Sequence, residues 1–569
     1  MESYRPTIAA RRWVIASGHY LATLAGARML ERGGNAVDAG VAAGICLGVV
    51  KCDIVNVAGV APILIWRERE REVVNIAGLG GWPRRANLEE LRAKHGGMLP
   101  DGLLRTVVPA APDAWLTALG RYGTKRFAEV AEPATTLARD GFPVQPSLAE
   151  SLAAREKLYR RWPTNAAIYL PNGRPPQLRE VLVQRDLGGT LQRMADAEAK
   201  AGAGREAGIQ AARDEFYLGE TARRIADYHA AHGGWLTRED LAEFHSPFEA
   251  PVWFRYRGLE VVTCGPWCQG PTLPQTLNLL DGFDLHAMGH NSPEYIHTLV
   301  EALKLACADR EACYGDPNFV KVPMEQLLST AYGASRRALI DPKRAWPDMP
   351  PAGVGPAARR EAAHSGAGEA GARSGADTSY VCVIDAEGNG FSATPSDVSY
   401  DTPIIPGLGF APSGRGCQSR LTPGHPSVVA PGKRPRLTPN PALVFRDGKL
   451  AMAFGTPGGD VQIQAMLQVL LNLEVFGMAP QQAVEAPRFA TYSFPDSFYP
   501  HENFPGLLCV EARIPEATRE ALAALGHRVE VWRDFEPKAG SPCLARRNFS
   551  TGVLEAAADP RREAYALGW

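Results

Sequence analysis

Between Ala352 and Asp377 the chain is mostly Ala, Gly, Arg, Glu and Ser with no apolar face, and then changes character abruptly. A stretch with nothing to bury gains nothing by packing, so it is expected to be an exposed, mobile linker. On its C-terminal side, Tyr380-Val-Cys-Val-Ile384 is a β-rich run, Asp385-Ala-Glu-Gly-Asn389 a turn, and Phe391-Ser-Ala-Thr394 a returning strand. On its N-terminal side, from Asp101 to about Pro350, the periodicity is mainly helical. The chain therefore divides into 1–377, helix-rich and ending in the linker, and 378–569, strand-rich. At 569 residues it exceeds what one compact core usually holds.

Local signals fill in this outline. Leu21, Leu24, Ala25, Ala27 and Leu30 recur at helical spacing, and Gly33-Gly34 supplies a stop. Asn35 can cap the next helix with Asp38 at the third position, ahead of the small apolar run Ala39–Val50. Ile63–Trp66 and Glu72–Ile76 read as a hairpin around a charged turn. Helices are expected at Thr221–His232, Ser292–Cys313, about Val461–Val475 and Pro515–Leu525. Strands are expected at Pro441–Phe445 and Leu450–Phe454. No internal repeat is found.

Charge and cysteine content exclude several functions. Lys and Arg total 61 against 62 Asp and Glu, a formal charge of −1, so nothing drives non-specific binding to nucleic acid. No signal peptide is read in the first thirty residues, and the most apolar region, Val41–Trp66, is interrupted by Lys51 and Asp53. No membrane span is expected. Ten scattered cysteines, with only Cys264 and Cys268 close together, fit reduced and buried thiols in a cytoplasmic protein better than disulfides or zinc.

Thr378 opens a buried-looking strand directly after the linker. An internal threonine hydroxyl is a weak nucleophile and needs a base. Cleaving the bond before it would create an α-amine of pKa about 7.7–8.0, close enough to serve as that base. Gly458-Gly459, between a strand and a helix, lets the backbone approach a ligand and points N–H groups at an anion.

The run DTSYVCVIDAEGNGFSAT, Asp377–Thr394, resembles the small-subunit start of γ-glutamyltransferases. GGNAVDA at Gly33–Ala39, EALKLACADR at Glu301–Arg310, and PGKRP, FGTPGGD and EAPRF, beginning at Pro431, Phe454 and Glu485, resemble further family motifs in the family's order. The resemblance covers nearly the whole chain. It implies an α+β fold, the four-layer αββα sandwich of N-terminal nucleophile hydrolases, with large and small subunits made from one precursor. It implies self-cleavage between Asp377 and Thr378, and Thr378 as the catalytic nucleophile. Ser396 matches a family threonine whose hydroxyl bonds that nucleophile, and Gly458 and Gly459 match the oxyanion hole. Arg415 lies in the matching substrate loop; Thr394 and Thr438 are further candidates to line the pocket. No metal or organic cofactor is implied. The expected partner is a small-molecule amide, and homo-oligomerisation stays open.

The departures from the family concern recognition. Ile76–Pro83 lacks the arginine that holds the glutamate α-carboxylate, though Arg84 and Arg85 follow out of register. Val398 stands where the family has an asparagine, about Gln418 where it has an α-amine-binding aspartate, and Leu437 and Thr438 where it has paired serines. An unpaired polar substrate group costs about 1–3 kcal/mol, so these losses weigh against γ-glutamyl substrates. The expectation is an amidohydrolase of the oxamate type acting on small acids. A γ-glutamyl enzyme with an altered pocket is one alternative. An uncleaved, inactive binding relative is the other.

Overall fold

The computed structural model describes residues 3–202, 204–355 and 378–569. Asp377, expected to precede the cleavage point, and the rest of positions 356–377 of the expected linker lie outside the described residues. Among the described residues, two large antiparallel sheets lie face to face. One has six strands in the order Tyr565–Gly568, Val14–Ser17, Val381–Ile384, Gly390–Ala393, Ile63–Arg67 and Glu72–Ile76. The other has seven, ordered Ile8–Ala10, Leu554–Ala558, Cys543–Arg547, Lys449–Gly455, Ala442–Arg446, Leu259–Thr263 and Val252–Tyr256. Both sheets take strands from before and after residue 378.

Side chains on successive strand residues point to opposite faces, which divides each central strand between two cores. Cys382 and Ile384 meet Leu443, Ala453 and Ala545 between the sheets. Val381 and Val383 face the other way, into a helical layer that includes Tyr20–Glu31 and Ala36–Val50. On the outer side of the seven-stranded sheet, Val444, Met452 and Phe454 pack under the helices Thr272–Leu280, Pro293–Cys313 and Gln462–Glu474. The result is the four-layer αββα arrangement.

The first motif helix is placed by its glycines and its cap. Ala36–Val50 is buried along its whole length, and a Cβ on Gly40 would lie 2.1 Å from the Phe391 ring. Only hydrogen at that position lets the helix lie so close to the sheet. Asn35 and Asp38 form the expected capping box. Asp385, in the turn after the strand Val381–Ile384, accepts from Ala36 N at 2.9 Å. Two motifs far apart in sequence are thus one structural joint.

One part of the sequence-based outline needs correction. The region from Asp101 to Pro350 is mainly helical, but Val252–Tyr256 and Leu259–Thr263 form an edge hairpin of the seven-stranded sheet. The first of these strands alternates partly buried and exposed residues because it lies at the sheet edge. All ten cysteines are buried and none is in a disulfide. Among the described residues no helix is long and apolar enough to cross a membrane.

Candidate active site

Thr378 and Ser396 face each other across an antiparallel bridge beyond the ends of the strands Val381–Ile384 and Gly390–Ala393. Ser379 N donates to Pro395 O at 3.0 Å. On the other side, Ser396 N donates to Val60 O at 3.0 Å, and Val60 N returns a bond to Ser396 O at 3.1 Å. Main-chain bonds thus hold Ser396 from both neighbours. The two hydroxyls, both fully buried, stand 2.8 Å apart.

Arg415 completes this cluster. It begins the short 3₁₀ turn Arg415–Gln418 and is buried. Its Nη2 donates to Ser396 Oγ, its Nη1 donates to Gln418 Oε1 at 3.4 Å, and its guanidinium lies 5.4 Å from the centre of the Phe498 ring. With one Ser396 lone pair taken by the guanidinium, the serine hydrogen can turn toward Thr378 Oγ1.

Beside Ser396, Asp397 has φ +143°, a backbone conformation rare outside glycine. Its carboxylate lies 3.7 Å from Arg415 Nε and accepts from Ser413 Oγ at 2.5 Å. Burial pushes this carboxyl up to about 7; Arg415 opposes the rise and Asp401 adds to it.

The second half of the site is the turn after the strand Lys449–Gly455. Gly458 has φ +128° and Gly459 φ +55°, and Val461 N donates to Gly458 O at 2.9 Å as the chain enters the helix Gln462–Glu474. The side-chain amide of Gln269 donates to Gly459 O and to Thr438 O, both at 2.8 Å. Its Oε1 accepts from Arg310 Nη1 at 3.1 Å. Arg310 also pairs with Asp460 at 2.5 Å. Asp460 in turn accepts from Ser497 N and Ser497 Oγ, each at 2.7 Å. Phe498 joins the two halves: it sits under Arg415, and a Cβ on Gly459 would lie 3.3 Å from its ring.

Beneath the turn, Glu311 receives Arg420 at 2.6 Å and Arg436 at 2.5 Å, with Arg310 at 3.2 Å. Burial pushes the Glu311 carboxyl up, but Arg436 and Arg420 outweigh it and hold it well below the usual range.

The sequence of this chain decides what such a site belongs to. The profile of the family described as gamma-glutamyltranspeptidase matches residues 22–569. The chain belongs to that family. It is 35% identical to the acylase ACY 1 proenzyme of Pseudomonas sp. (strain SE83) over 91% of this chain and 87% of that one. It is 31% identical to the glutathione hydrolase-like YwrD proenzyme of Bacillus subtilis (strain 168), over 98% of each. Among solved structures, cephalosporin acylase from Bacillus halodurans superposes with a TM-score of 0.86 at 28% identity, covering 100% of this chain and 98% of that one. The fold is that of the family's N-terminal nucleophile hydrolases, and the chain is an enzyme of the amide hydrolase and acyltransferase class.

Against the family's pattern, the structure brings together Thr378, Ser396 and Arg415 directly, and Thr438 through Gln418, whose Nε2 donates to Thr438 Oγ1 at 3.0 Å. Thr394 is not part of this cluster. Its N–H donates to Pro62 O at 3.2 Å, and its buried hydroxyl has no partner among the described residues. Arg84 does not supply the missing family arginine, because its exposed side chain pairs with Glu243. Gln269, Arg310, Asp397 and Asp460 were missed as site residues. Arg310 and Asp460 close two recognised motifs, and a buried charge at each motif's end was the available signal.

Among the described residues, one side-chain group has metal-ligating composition: His297, Glu301 and His527. Glu301 already accepts from Lys304 Nζ at 2.8 Å and from Trp346 N at 3.0 Å. A cation there would sit beside a buried ammonium, which Coulomb repulsion opposes.

Proposed function

We propose that this enzyme cleaves its own chain between Asp377 and Thr378 and then uses Thr378 to hydrolyse the amide of a small carboxylate-bearing substrate. The observation that carries this reading is the buried Thr378–Ser396 hydroxyl pair at 2.8 Å with the Arg415 guanidinium on its far side. The freed α-amine takes the proton of Oγ1 as the hydroxyl attacks the amide carbon. The N–H groups of Gly458 and Gly459 receive the developing oxyanion. Collapse expels the amine with the proton it needs and leaves an ester on Thr378, which water then hydrolyses. Ser396 donates toward Oγ1 as negative charge develops there. Arg415, planar and permanently charged, suits the substrate's carboxylate. Val398 and Gln418, replacing family groups that pair with a glutamyl amino-acid end, favour a substrate without that end.

A γ-glutamyl substrate is the second reading, favoured by the glutathione hydrolase names of several relatives. Turnover of γ-glutamyl-p-nitroanilide against succinyl-p-nitroanilide separates the two. The first reading predicts little turnover of the former.

The primary test is a denaturing gel with fragment masses. Wild type is expected to give pieces of roughly 41 and 21 kDa, the smaller beginning at Thr378, while Thr378→Ala stays whole and inactive. An intact, inactive wild-type chain after long incubation would leave the binding relative as the better description.

A further inference from the structure

Gln269 is buried and belongs to none of the groups that take part in the proposed chemistry, yet every polar atom of its side chain is used. Nε2 donates one hydrogen to Gly459 O and the other to Thr438 O, and Oε1 accepts from Arg310. The orientation of the amide follows from its partners. Two carbonyls can only accept and a guanidinium can only donate, so a flipped amide would lose all three bonds. Gln269 itself is fixed, since its N–H donates to Leu437 O at 2.8 Å and its carbonyl accepts from Thr272 N at 2.9 Å.

Glycine gives the turn its shape but leaves it pivoting freely, because nothing beyond hydrogen restrains φ and ψ at two successive positions. In a trans peptide the N–H points opposite to the C=O of the same plane. Val461 N pins Gly458 O and so aims the Gly459 N–H. Gln269 pins Gly459 O and so fixes the next plane. The Gly458 N–H shares its plane with Pro457 O, which accepts from Thr456 Oγ1 at 2.9 Å, so Gln269 anchors the C-terminal end of the turn, just beyond the two donor N–H groups.

We infer that Gln269 is a positioning residue for the oxyanion-binding turn, holding Gly458–Gly459 in register with Thr378 through the carbonyl of Gly459. This rests on the reading of Thr378 as nucleophile. Removing an oxyanion donor typically costs about 10²–10³ in rate. Letting a donor drift costs less, on the order of tenfold to a hundredfold. Arg310 acts one step further back, gripping both Gln269 Oε1 and Asp460, the residue after the turn.

The test uses cleaved full-length enzyme and p-nitrophenyl acetate, a small activated ester that can acylate an activated nucleophile without needing the native leaving group. The concentration dependence of the burst gives an acylation rate constant and a half-saturation concentration, and mass determination of the small fragment locates the acetyl group. Gln269→Met keeps the bulk and removes the donors. It is expected to acylate about tenfold to a hundredfold more slowly, with half-saturation within about twofold, and to melt somewhat lower because buried carbonyls and Arg310 lose a partner. Gln269→Glu keeps the shape and the contact to Arg310 but cannot donate when ionised. It carries the same expectation should the Met variant not fold. An acylation rate equal to wild type overturns the positioning role and leaves the nucleophile intact. A slow rate accompanied by weaker half-saturation makes Gln269 a general structural residue and overturns it too, as does failure of both variants to fold. Absence of acetyl-Thr378 in wild type removes the reading on which the inference rests.

Discussion

The two walls of the site are built by different means. Around Thr378, Ser396 and Gly458, positions are set by main-chain bonds: an antiparallel bridge, two bonds to Val60, and the Gly458 carbonyl tied back to Val461 N, with the Gln269 side chain added at Gly459 O. Around Arg415, Gln418 and Thr438, side chains in coil and a short 3₁₀ turn bond mostly to one another. The main-chain wall matches the family's motifs, and the side-chain wall is where the chain departs from them. Gln269 apart, the backbone-built wall offers few side chains to exchange, whereas exchanging a side chain in the other wall changes which substrate groups find partners. One scaffold can thereby keep its chemistry and change its acyl group.

The sharpest way to break this comparison is at the glycine turn. Gly458→Ala has space for its methyl, 3.5 Å from Val461 Cβ, but must hold φ at +128°. It is expected to fold and to lose about 10²–10³ in kcat with KM little changed, as a lost oxyanion donor would. An equal loss in KM would mean that the walls are not separable. On the other wall, Arg415→Met should raise KM for succinyl-p-nitroanilide about tenfold to a hundredfold, the worth of a charge-assisted hydrogen bond, with a smaller change in kcat. A kcat-only effect would place Arg415 in the chemistry through Ser396 instead.

The smallest effect concerns Asp397, which touches both walls. Its carboxyl is raised from the ordinary 3.8 to about 7, burial being the main cause. Folded protein therefore holds a proton here that unfolded chain has released between those two values. Stability from this group falls as pH rises from about 4 to 7 and is level above. The groups facing it are Arg415, Asp401 and Ser413. Asp397→Asn should flatten that part of the wild-type curve, read as melting temperature against pH. Parallel curves for the two proteins would show that Asp397 is ionised throughout.

What could be read from sequence was local. Thr378 after a featureless stretch, the turn Asp385–Asn389, the capped helix at Asn35 and the glycines at 458–459 each announce themselves within a few residues. The hairpin Val252–Thr263 did not, because its edge strand is short and half exposed among helices. Gln269 was silent for another reason: a glutamine becomes informative only when residues about 170 and 190 positions away supply the carbonyls it reaches. Asp397 likewise looks like a loop aspartate until Arg415 and Ser413 fold over it. Arg84 misled in the opposite direction, since proximity in sequence to the missing family arginine did not bring its side chain inward.

In the six-stranded sheet Val14–Ser17 and Ile63–Arg67 flank the hairpin Val381–Ala393, so segments from before and after residue 378 are interleaved. A cut before Thr378 would leave two polypeptides that neither separate nor refold alone, because both sheets contain seams that join one to the other. Covalent continuity would serve as an assembly jig, bringing the strands into order at high local concentration and becoming dispensable after the seams close. Mixing separately made fragments should then yield little enzyme, while nicked enzyme should melt as one body.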